Sequence, residues 1–356
     1  MKKKVVFWIS DTDSILNGYR PKYGIGGANV QMALWANLMA ERGYLVFALT
    51  RFSRNNRTVI QGINYIWHPV IRYFGFVFNY LIIIIILARL RPNIVFTRAK
   101  LRELYFINKL SGLFQFKLVH MLASDNDVII DDKRGVTFFQ HTLSKIEFVI
   151  AQNFNQRFHY QKSINNIDIP VIPNIWNREL FKVSNRIYKY DFVWVANILE
   201  NKRPFWFINL AKELPQYNFA LVGAPYNNDL FIKCQKEAQS ILNIEILGYK
   251  SLFEVNEIIS NSKVLVCTSV VEGFPNTFLQ ALNEKVPLLS TVDPNEIIKN
   301  YELGNVVSNE FDLKHAAIGI IDNQENYRNL QFNIARYFES NHSPEKNLLK
   351  IENYII

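Results

Sequence analysis

One short segment of the chain combines an acid, a turn and a helix start, and it reads EGFPNT at residues 272–277. The apolar run 264–267 before it predicts a strand buried on both faces, and residues 278–283 after it predict a helix. Pro275 suits a helix entry because it fixes φ and lacks an N–H group. Glu272 would then lie at the carboxyl edge of a parallel sheet, where ligands bind in open α/β folds. The free N–H groups of a helix N-terminus at that edge can bind a diphosphate. The Glu272 carboxylate can accept hydrogen bonds from the hydroxyls of a sugar that the diphosphate carries.

A basic loop and a glycine pair lie at two further predicted strand ends. Lys202 and Arg203 follow the predicted strand 191–196, at a position where their cations can bind a phosphate. The alternative interpretation is that they are two solvated basic residues of an ordinary loop. Gly26 and Gly27 lie between the first predicted strand and the first predicted helix. Glycine lets backbone N–H groups approach a ligand closely, and a flexible loop is the alternative interpretation.

Together these segments resemble the signature of glycosyltransferase family 4. Gln280 lies eight residues after Glu272 (280 − 272 = 8), where the family has a second Glu. The sequence GGANVQ at 26–31 is close to the family pattern GGAxVQ, and Lys202 keeps the family spacing of five residues after Asn197 (202 − 197 = 5), where the family has Arg. The resemblance implies the α/β fold called GT-B, with two Rossmann-like doubly wound parallel-sheet domains facing a central cleft. It also implies a hexosyltransferase that retains the anomeric configuration.

The resemblance further implies which residues form the site. Glu272 and Lys202 are expected to be catalytic, the first on the donor sugar and the second on the leaving diphosphate. Gln280 is expected at the ribose. The other expected donor-binding residues are Gly26, Gly27, Asn197, Arg203, Gly248, Tyr249, Gly273, Phe274, Pro275, Asn276 and Thr277. No metal site and no cofactor are expected besides the donor, a UDP- or GDP-sugar.

The acceptor side is indicated only by an acidic loop after the predicted strand 116–122. Ser124 and Asp125 fall near the place where the family often has a functional histidine. They either meet an acceptor hydroxyl or belong to a solvated loop. His120 lies within the strand, where a packed histidine is expected, and no general base is assigned.

Strands alternate with helices along the whole chain, which predicts parallel sheets. The polar segment 177–190 suits a linker between two domains. We expect an acceptor-binding domain at 1–180 and a nucleotide-sugar-binding domain at 181–340. The segment 341–356 is expected to be a helix that crosses back to the first domain, as the resemblance implies.

Composition restricts the partners and the compartment. The chain has 356 residues and a formal net charge of +9, which favours anionic partners such as nucleotides or acidic lipid surfaces. No nucleic-acid-binding signature is present, so nucleic acid is not expected as a partner. Two cysteines offer no disulfide framework, which indicates a reducing compartment. We expect a cytoplasmic protein, with peripheral contact at the inner face of an anionic cell membrane as a further interpretation.

The apolar stretch 73–88 bears on that membrane contact. Its 16 residues (88 − 73 + 1 = 16) are fewer than the ~20 needed to span a bilayer. A core helix, a helix that also dips into a membrane interface, and a true span are the three interpretations.

The expected function is retaining sugar transfer from a nucleotide sugar to a lipid-linked or saccharide acceptor, in bacterial surface-polysaccharide synthesis such as capsule, O-antigen or exopolysaccharide. One alternative is a non-catalytic GT-B protein that binds a nucleotide sugar or a partner enzyme. Others are a GT-B epimerase or phosphorylase and, on charge alone, a nucleic-acid binder, which would show strongly salt-dependent DNA binding.

Overall fold

The computed structural model describes residues 2–8, 26–50, 59–67, 75–99, 101–123, 128, 138, 141–164, 167–177, 179–181 and 186–355. The chain divides into two compact units. Of the described residues, those up to Ile175 and those from Pro344 onward form the first unit, and Trp176–Ser343 form the second. Sequence reasoning set the boundaries at 180 and 340, a few residues later and earlier respectively.

The first unit is built on a seven-stranded sheet in the order β3-β4-β2-β1-β5-β6-β7. Its strands are β1 (Lys4–Trp8), β2 (Leu45–Thr50), β3 (Val59–Ile60), β4 (Ile63–Trp67), β5 (Ile94–Thr97), β6 (Lys117–Met121) and β7 (Phe148–Ile150). Its helices are α1 (Gly27–Glu41), α2 (Gly75–Leu90), α3 (Leu101–Phe114) and α4 (Phe154–Ser163). All neighbouring strands are parallel except the short β3, which is antiparallel to β4. Sequence reasoning missed β3 because two residues are too few to show a pattern.

The second unit holds a six-stranded parallel sheet in the order β10-β9-β8-β11-β12-β13. Its strands are β8 (Tyr190–Val195), β9 (Phe219–Val222), β10 (Ile244–Gly248), β11 (Ser262–Cys267), β12 (Leu288–Ser290) and β13 (Gly304–Val306). Its helices are α5 (Pro204–Glu213), α6 (Asn228–Ala238), α7 (Leu252–Ser260), α8 (Asn276–Asn283), α9 (Ile297–Asn300), α10 (Phe311–Ile321) and α11 (Gln324–Asn341). The predicted α/β class with two doubly wound parallel sheets is confirmed.

The cores follow from continuous apolar strands that are covered by helices on both faces. In the second unit Phe192, Phe207 and Phe219 are fully buried, and the rings of Phe192 and Phe219 stack at 4.9 Å. Because the central strands are anchored in this way, the loops at their carboxyl ends leave the sheet at fixed positions.

One predicted strand, 169–172, is reduced to a single parallel bridge between Val171 and Ala151. Pro170 has no N–H group and contributes only its carbonyl, which accepts from the Ala151 N–H at 3.1 Å.

The last helix, α12 (Pro344–Ile355), is part of the first unit. The Tyr44 hydroxyl donates to Glu352 at 2.9 Å, and the Lys117 ammonium donates to the Ile355 carbonyl at 2.6 Å. Burial, followed by the Glu352 hydrogen bond, raises the pKa of Tyr44 to about 12, so this phenol remains a donor at neutral pH.

Candidate active site

Two loops meet at the carboxyl edge of the second sheet because β8 and β11 are parallel neighbours. Thr268, the first residue after β11, ties the loops together. Its hydroxyl lies 2.6 Å from the carbonyl of Lys202 and 3.0 Å from that of Arg203. It accepts from the Trp194 indole N–H at 2.9 Å. The Val270 N–H adds a bond of 2.8 Å to the Asn201 carbonyl.

This bracing brings the two predicted catalytic residues together. The Lys202 ammonium donates to Oε1 of Glu272 in a direct ion pair. The Ser269 hydroxyl donates to the same oxygen at 2.7 Å, and Ser269 itself is buried. The Lys202 and Glu272 side chains are 18% and 20% exposed, so both are held within the edge and remain reachable from solvent.

Backbone geometry explains where Lys202 lies. A single 3-10 turn, Glu200–Lys202, ends at Arg203, whose φ of 48° is in the left-handed region. Pro204 then begins α5, and a residue before proline is restricted in its backbone conformation. The Arg203 guanidinium lies over the Trp206 ring at 4.4 Å, a cation–π contact that shields its charge. The expected role of Arg203 at the donor stays a prediction.

The segment after Glu272 forms the start of α8. Pro275 is extended, with φ −64° and ψ 133°, and its carbonyl accepts from the Phe278 N–H at 3.0 Å. As the N-cap residue, Pro275 contributes no side-chain hydrogen bond to this helix. The Phe274 ring contacts the buried His342 at 5.2 Å, which fixes the turn against the end of α11. The first turn of α8, with Asn276 and Thr277, therefore begins beside Glu272.

Gln280 lies one helical turn further along α8 and is 1% exposed. Its Nε2 has no hydrogen-bond partner among the residues that the structure describes. A buried amide donor left unpaired costs about 1–3 kcal/mol, so a ligand oxygen at this position would be favourable. The expected contact with ribose stays a prediction.

The turns after β9 and β10 support the same edge. Gly248 has a φ of +64°, which suits glycine, and its carbonyl accepts from the Gly223 N–H at 2.9 Å. A Cβ on Gly223 would lie 2.2 Å from the Ala196 carbonyl oxygen. Glycine is therefore required where the turn after β9 contacts the loop after β8. Tyr249, directly after β10, and Asn197, in the loop after β8, are both half-buried.

The glycine motif of the first unit is placed differently. Gly26 precedes α1, and its carbonyl accepts from the Asn29 and Val30 N–H groups at 3.0 and 3.3 Å. Gln31 of the same motif is buried, and its amide accepts from the N–H of Ile175 and donates to its carbonyl, both at 3.0 Å. Gln31 thus anchors Ile175, the residue after which the chain enters the second unit.

The acceptor-side residues Ser124 and Asp125 lie outside the described residues. His120 is buried within β6, as expected for a packed histidine.

Sequence reasoning missed Ser269 and Thr268. The available signal was a pair of hydroxyl residues at the end of a buried strand, three and four positions before Glu272. Hydroxyls there can bind carboxylates and carbonyls of neighbouring loops.

Three further observations bear on the chemistry. Burial, with a smaller contribution from Glu272, raises the pKa of the Cys267 thiol, so it is protonated and not a nucleophile. Within the described part of the chain, no cluster of three or more His, Cys, Asp or Glu side chains could hold a metal ion. None of the helices searched there combines the length and the apolar character that a bilayer crossing requires.

Residues 177–337 match the model of the family described as Glycosyl transferases group 1. The matched residues span nearly all of the second unit, Trp176–Ser343. A protein from Xenopus tropicalis, "Glycosyltransferase 1 domain-containing protein 1", is 22% identical over 230 residues. That alignment covers 61% of this chain and 65% of the relative, so slightly less than two thirds of the relative is represented.

Solved structures show the same fold over nearly the whole chain. HepE from Anabaena, determined in complex with UDP and glucose, superposes with a TM-score of 0.76 at 12% identity, covering 99% of this chain and 98% of that one. A glycosyltransferase from Rickettsia africae gives 0.76 at 15% identity, covering 99% and 98%. WaaG, described as a glycosyltransferase involved in lipopolysaccharide biosynthesis, gives 0.66 at 13% identity, covering 99% of both chains. The predicted GT-B fold is confirmed.

Proposed function

We propose that this protein transfers a sugar from a nucleotide-diphosphate sugar to an acceptor hydroxyl, with retention of the anomeric configuration. The observation that carries the proposal is the contact of Glu272 with both Lys202 and Ser269 beside the start of α8. One cation and one carboxylate are thereby placed at the sheet edge where open α/β folds bind ligands. The group 1 match of the surrounding domain supports the same chemistry.

The reaction breaks the bond between the anomeric carbon and the diphosphate oxygen and forms one to the acceptor oxygen, and the proton of the acceptor hydroxyl passes to the departing diphosphate. Negative charge grows on the diphosphate as the bond breaks, and Lys202 together with the N-terminus of α8 stabilises it. Glu272 accepts hydrogen bonds from the sugar hydroxyls and so orients the ring. The hydrogen bond from Ser269 holds the carboxylate of Glu272 in place during the transfer.

We propose UDP as the first nucleotide to test and GDP as the second, without a further cofactor. The UDP complex of the structurally similar HepE supports this order. The buried Gln280 amide is proposed to meet the ribose, since its Nε2 has an unused donor within the described part of the chain.

We also propose a lipid-linked or saccharide acceptor, surface-polysaccharide synthesis as the pathway, and action in the cytoplasm at the inner face of the membrane. The net charge of +9 supports contact with an anionic surface. The similarity in fold to WaaG supports a pathway of this kind.

A thermal-shift screen against UDP, GDP, ADP and their sugar conjugates tests the donor site. A ligand at a hundred times its Kd stabilises a protein by about 2.7 kcal/mol, which is easily measured. The nucleotide that stands out then serves in a turnover assay with Lys202→Ala and with Lys212→Ala as a control, because Lys212 lies in the last turn of α5. Loss of binding only in Lys202→Ala supports the site, and equal affinity in both variants removes Lys202 from it. A wild-type protein that binds the donor and never transfers its sugar would instead be a binding protein.

A further inference from the structure

Helix α2 of the first unit is apolar on two opposite faces. Ile83 and Leu87 are buried and pack into the core. Phe78, Leu81 and Ile85, spaced as one helical face, are 51%, 46% and 50% exposed. A helix that is apolar all round is normally buried in a core or in a membrane, so the exposed face requires a partner.

An open groove of about 500 Å³ lies beside this face, between α2 and α3. Its surface is almost entirely apolar. It is lined by Tyr80, Leu81, Ile84, Arg102, Tyr105, Phe106 and Phe138. The volume is in the range of sites that take small apolar ligands, roughly 300–1,000 Å³. An aliphatic chain would replace water along the groove at a favourable free energy.

Cations border the groove. Arg102 forms part of its wall, and the Lys109 ammonium lies 5.5 Å from the centre of the Tyr105 ring. The acid of the first turn of α3, Glu103, accepts from the Trp8 indole N–H at 2.8 Å, so its carboxylate is occupied by strand β1. The border of the groove therefore offers positive charge and amphipathic tyrosines, the combination found at a membrane–water interface.

We propose that the α2 face, comprising Phe78, Leu81, Ile85 and the adjoining groove, docks on a bilayer of anionic phospholipids. One acyl chain enters the groove, and Arg102 and Lys109 meet headgroup phosphates. The proposal deepens the membrane part of the proposed function by naming the surface that reaches the lipid. The 16 residues of α2 extend only ~24 Å, less than the ~30 Å hydrocarbon core, so the helix lies in the interface.

Charge favours a membrane over a protein partner. The chain carries a net charge of +9, and an anionic bilayer attracts such a surface over a broad area. A second copy of this chain would bring the same cations against one another, which is unfavourable.

Flotation of the full-length protein with lipid vesicles tests the proposal without donor or acceptor. Binding is expected to vesicles that contain phosphatidylglycerol, and much weaker binding to phosphatidylcholine alone. Leu81→Ser combined with Ile85→Ser is expected to lower the partition coefficient at least about tenfold. Phe332→Ser is the matched control, because Phe332 is 66% exposed on α11 of the other unit, and it should bind as wild type.

Variants that remove a positive charge provide a second, independent test of vesicle binding. Arg102→Gln and Lys109→Gln are each expected to weaken binding roughly fivefold, while Arg328→Gln on α11 should have little effect. These exposed substitutions keep the test valid if the serine variants fail to fold.

Three results would overturn the proposal: equal binding to both kinds of vesicle, wild-type binding by the α2 variants, or a dimer in sedimentation that Leu81→Ser abolishes. The last result would assign the face to self-association. Vesicle binding is measured apart from turnover, so its failure leaves the proposed sugar transfer standing, and a failure of turnover leaves the docking surface standing.

Discussion

Replacing Glu272 by glutamine should change nucleotide binding and turnover in opposite directions. Glu272 holds the ammonium of Lys202, which is also the cation proposed to meet the diphosphate. A nucleoside diphosphate must therefore compete with Glu272 for Lys202, and it is also repelled by the carboxylate. Glutamine removes both effects and keeps the shape of the side chain.

The size of the expected change in nucleotide affinity follows from the solvent exposure of the Lys202–Glu272 ion pair. At 18% and 20% exposure the ion pair is neither fully solvated nor fully buried. Solvated pairs are worth about 0–1 kcal/mol, so about 1 kcal/mol is a reasonable value here. That corresponds to roughly fivefold, and Glu272→Gln is expected to tighten bare UDP or GDP by about three- to tenfold. Turnover should fall on the order of tenfold to a hundredfold, because a charge-assisted bond to the sugar is lost.

Isothermal titration with the bare nucleotide and a turnover assay with its sugar conjugate measure the two effects. In a Lys202→Ala background the release of the ammonium cannot occur, so Glu272→Gln should tighten binding much less there. Glu257→Gln, an exposed acid on α7, serves as the control and should match wild type in both assays. If Glu272→Gln weakens the bare nucleotide while its melting temperature is unchanged, the competition between carboxylate and diphosphate is refuted.

Other perturbations test the surrounding structure. Ser269→Ala removes a hydrogen bond to Glu272, so kcat should fall about tenfold with the affinity for bare nucleotide unchanged, and Ser269→Thr should restore kcat. Gly223→Ala places a methyl 2.2 Å from the Ala196 carbonyl, so calorimetry should show a loss of more than about 2 kcal/mol in unfolding free energy. Gly319→Ala, in the open on α10, should instead gain about 0.5–1 kcal/mol. Burial raises the pKa of the Cys234 and Cys267 thiols, so iodoacetamide at neutral pH should label neither cysteine in the native protein. After denaturation it should label both. Labelling of the native protein would contradict their burial.

The location of the candidate residues at the carboxyl edge of the second sheet was predictable, because the carboxyl ends of parallel strands meet at one edge. The prediction for residues 264–267 came close to β11, which begins two residues earlier at Ser262. Those two residues were missed since both are polar. Ser262 enters the strand because its hydroxyl donates to the Ile258 carbonyl at 2.7 Å, which satisfies it locally.

Side-chain partners at the edge were less predictable. Lys202 and Glu272 are 70 residues apart, and sequence patterns indicate only that their loops share an edge. The contact itself depends on Thr268, which holds the carbonyls of Lys202 and Arg203, and on the left-handed backbone of Arg203. Neither a bridging hydroxyl nor a positive φ at arginine leaves a periodic signal.

The two departures from the family pattern are linked by charge. Asn197 replaces an expected cation and Gln280 replaces an expected carboxylate, so one positive and one negative charge are missing together. The net charge of the chain is unaffected by the two departures taken together, and Lys202 and the N-terminus of α8 remain to meet the diphosphate. A carboxylate at position 280 would be 1% exposed, where an unpaired charge is strongly unfavourable without a cation nearby. A neutral amide at position 280 therefore avoids the free-energy cost of burying a charge and still offers its Nε2 as a donor to a ligand oxygen.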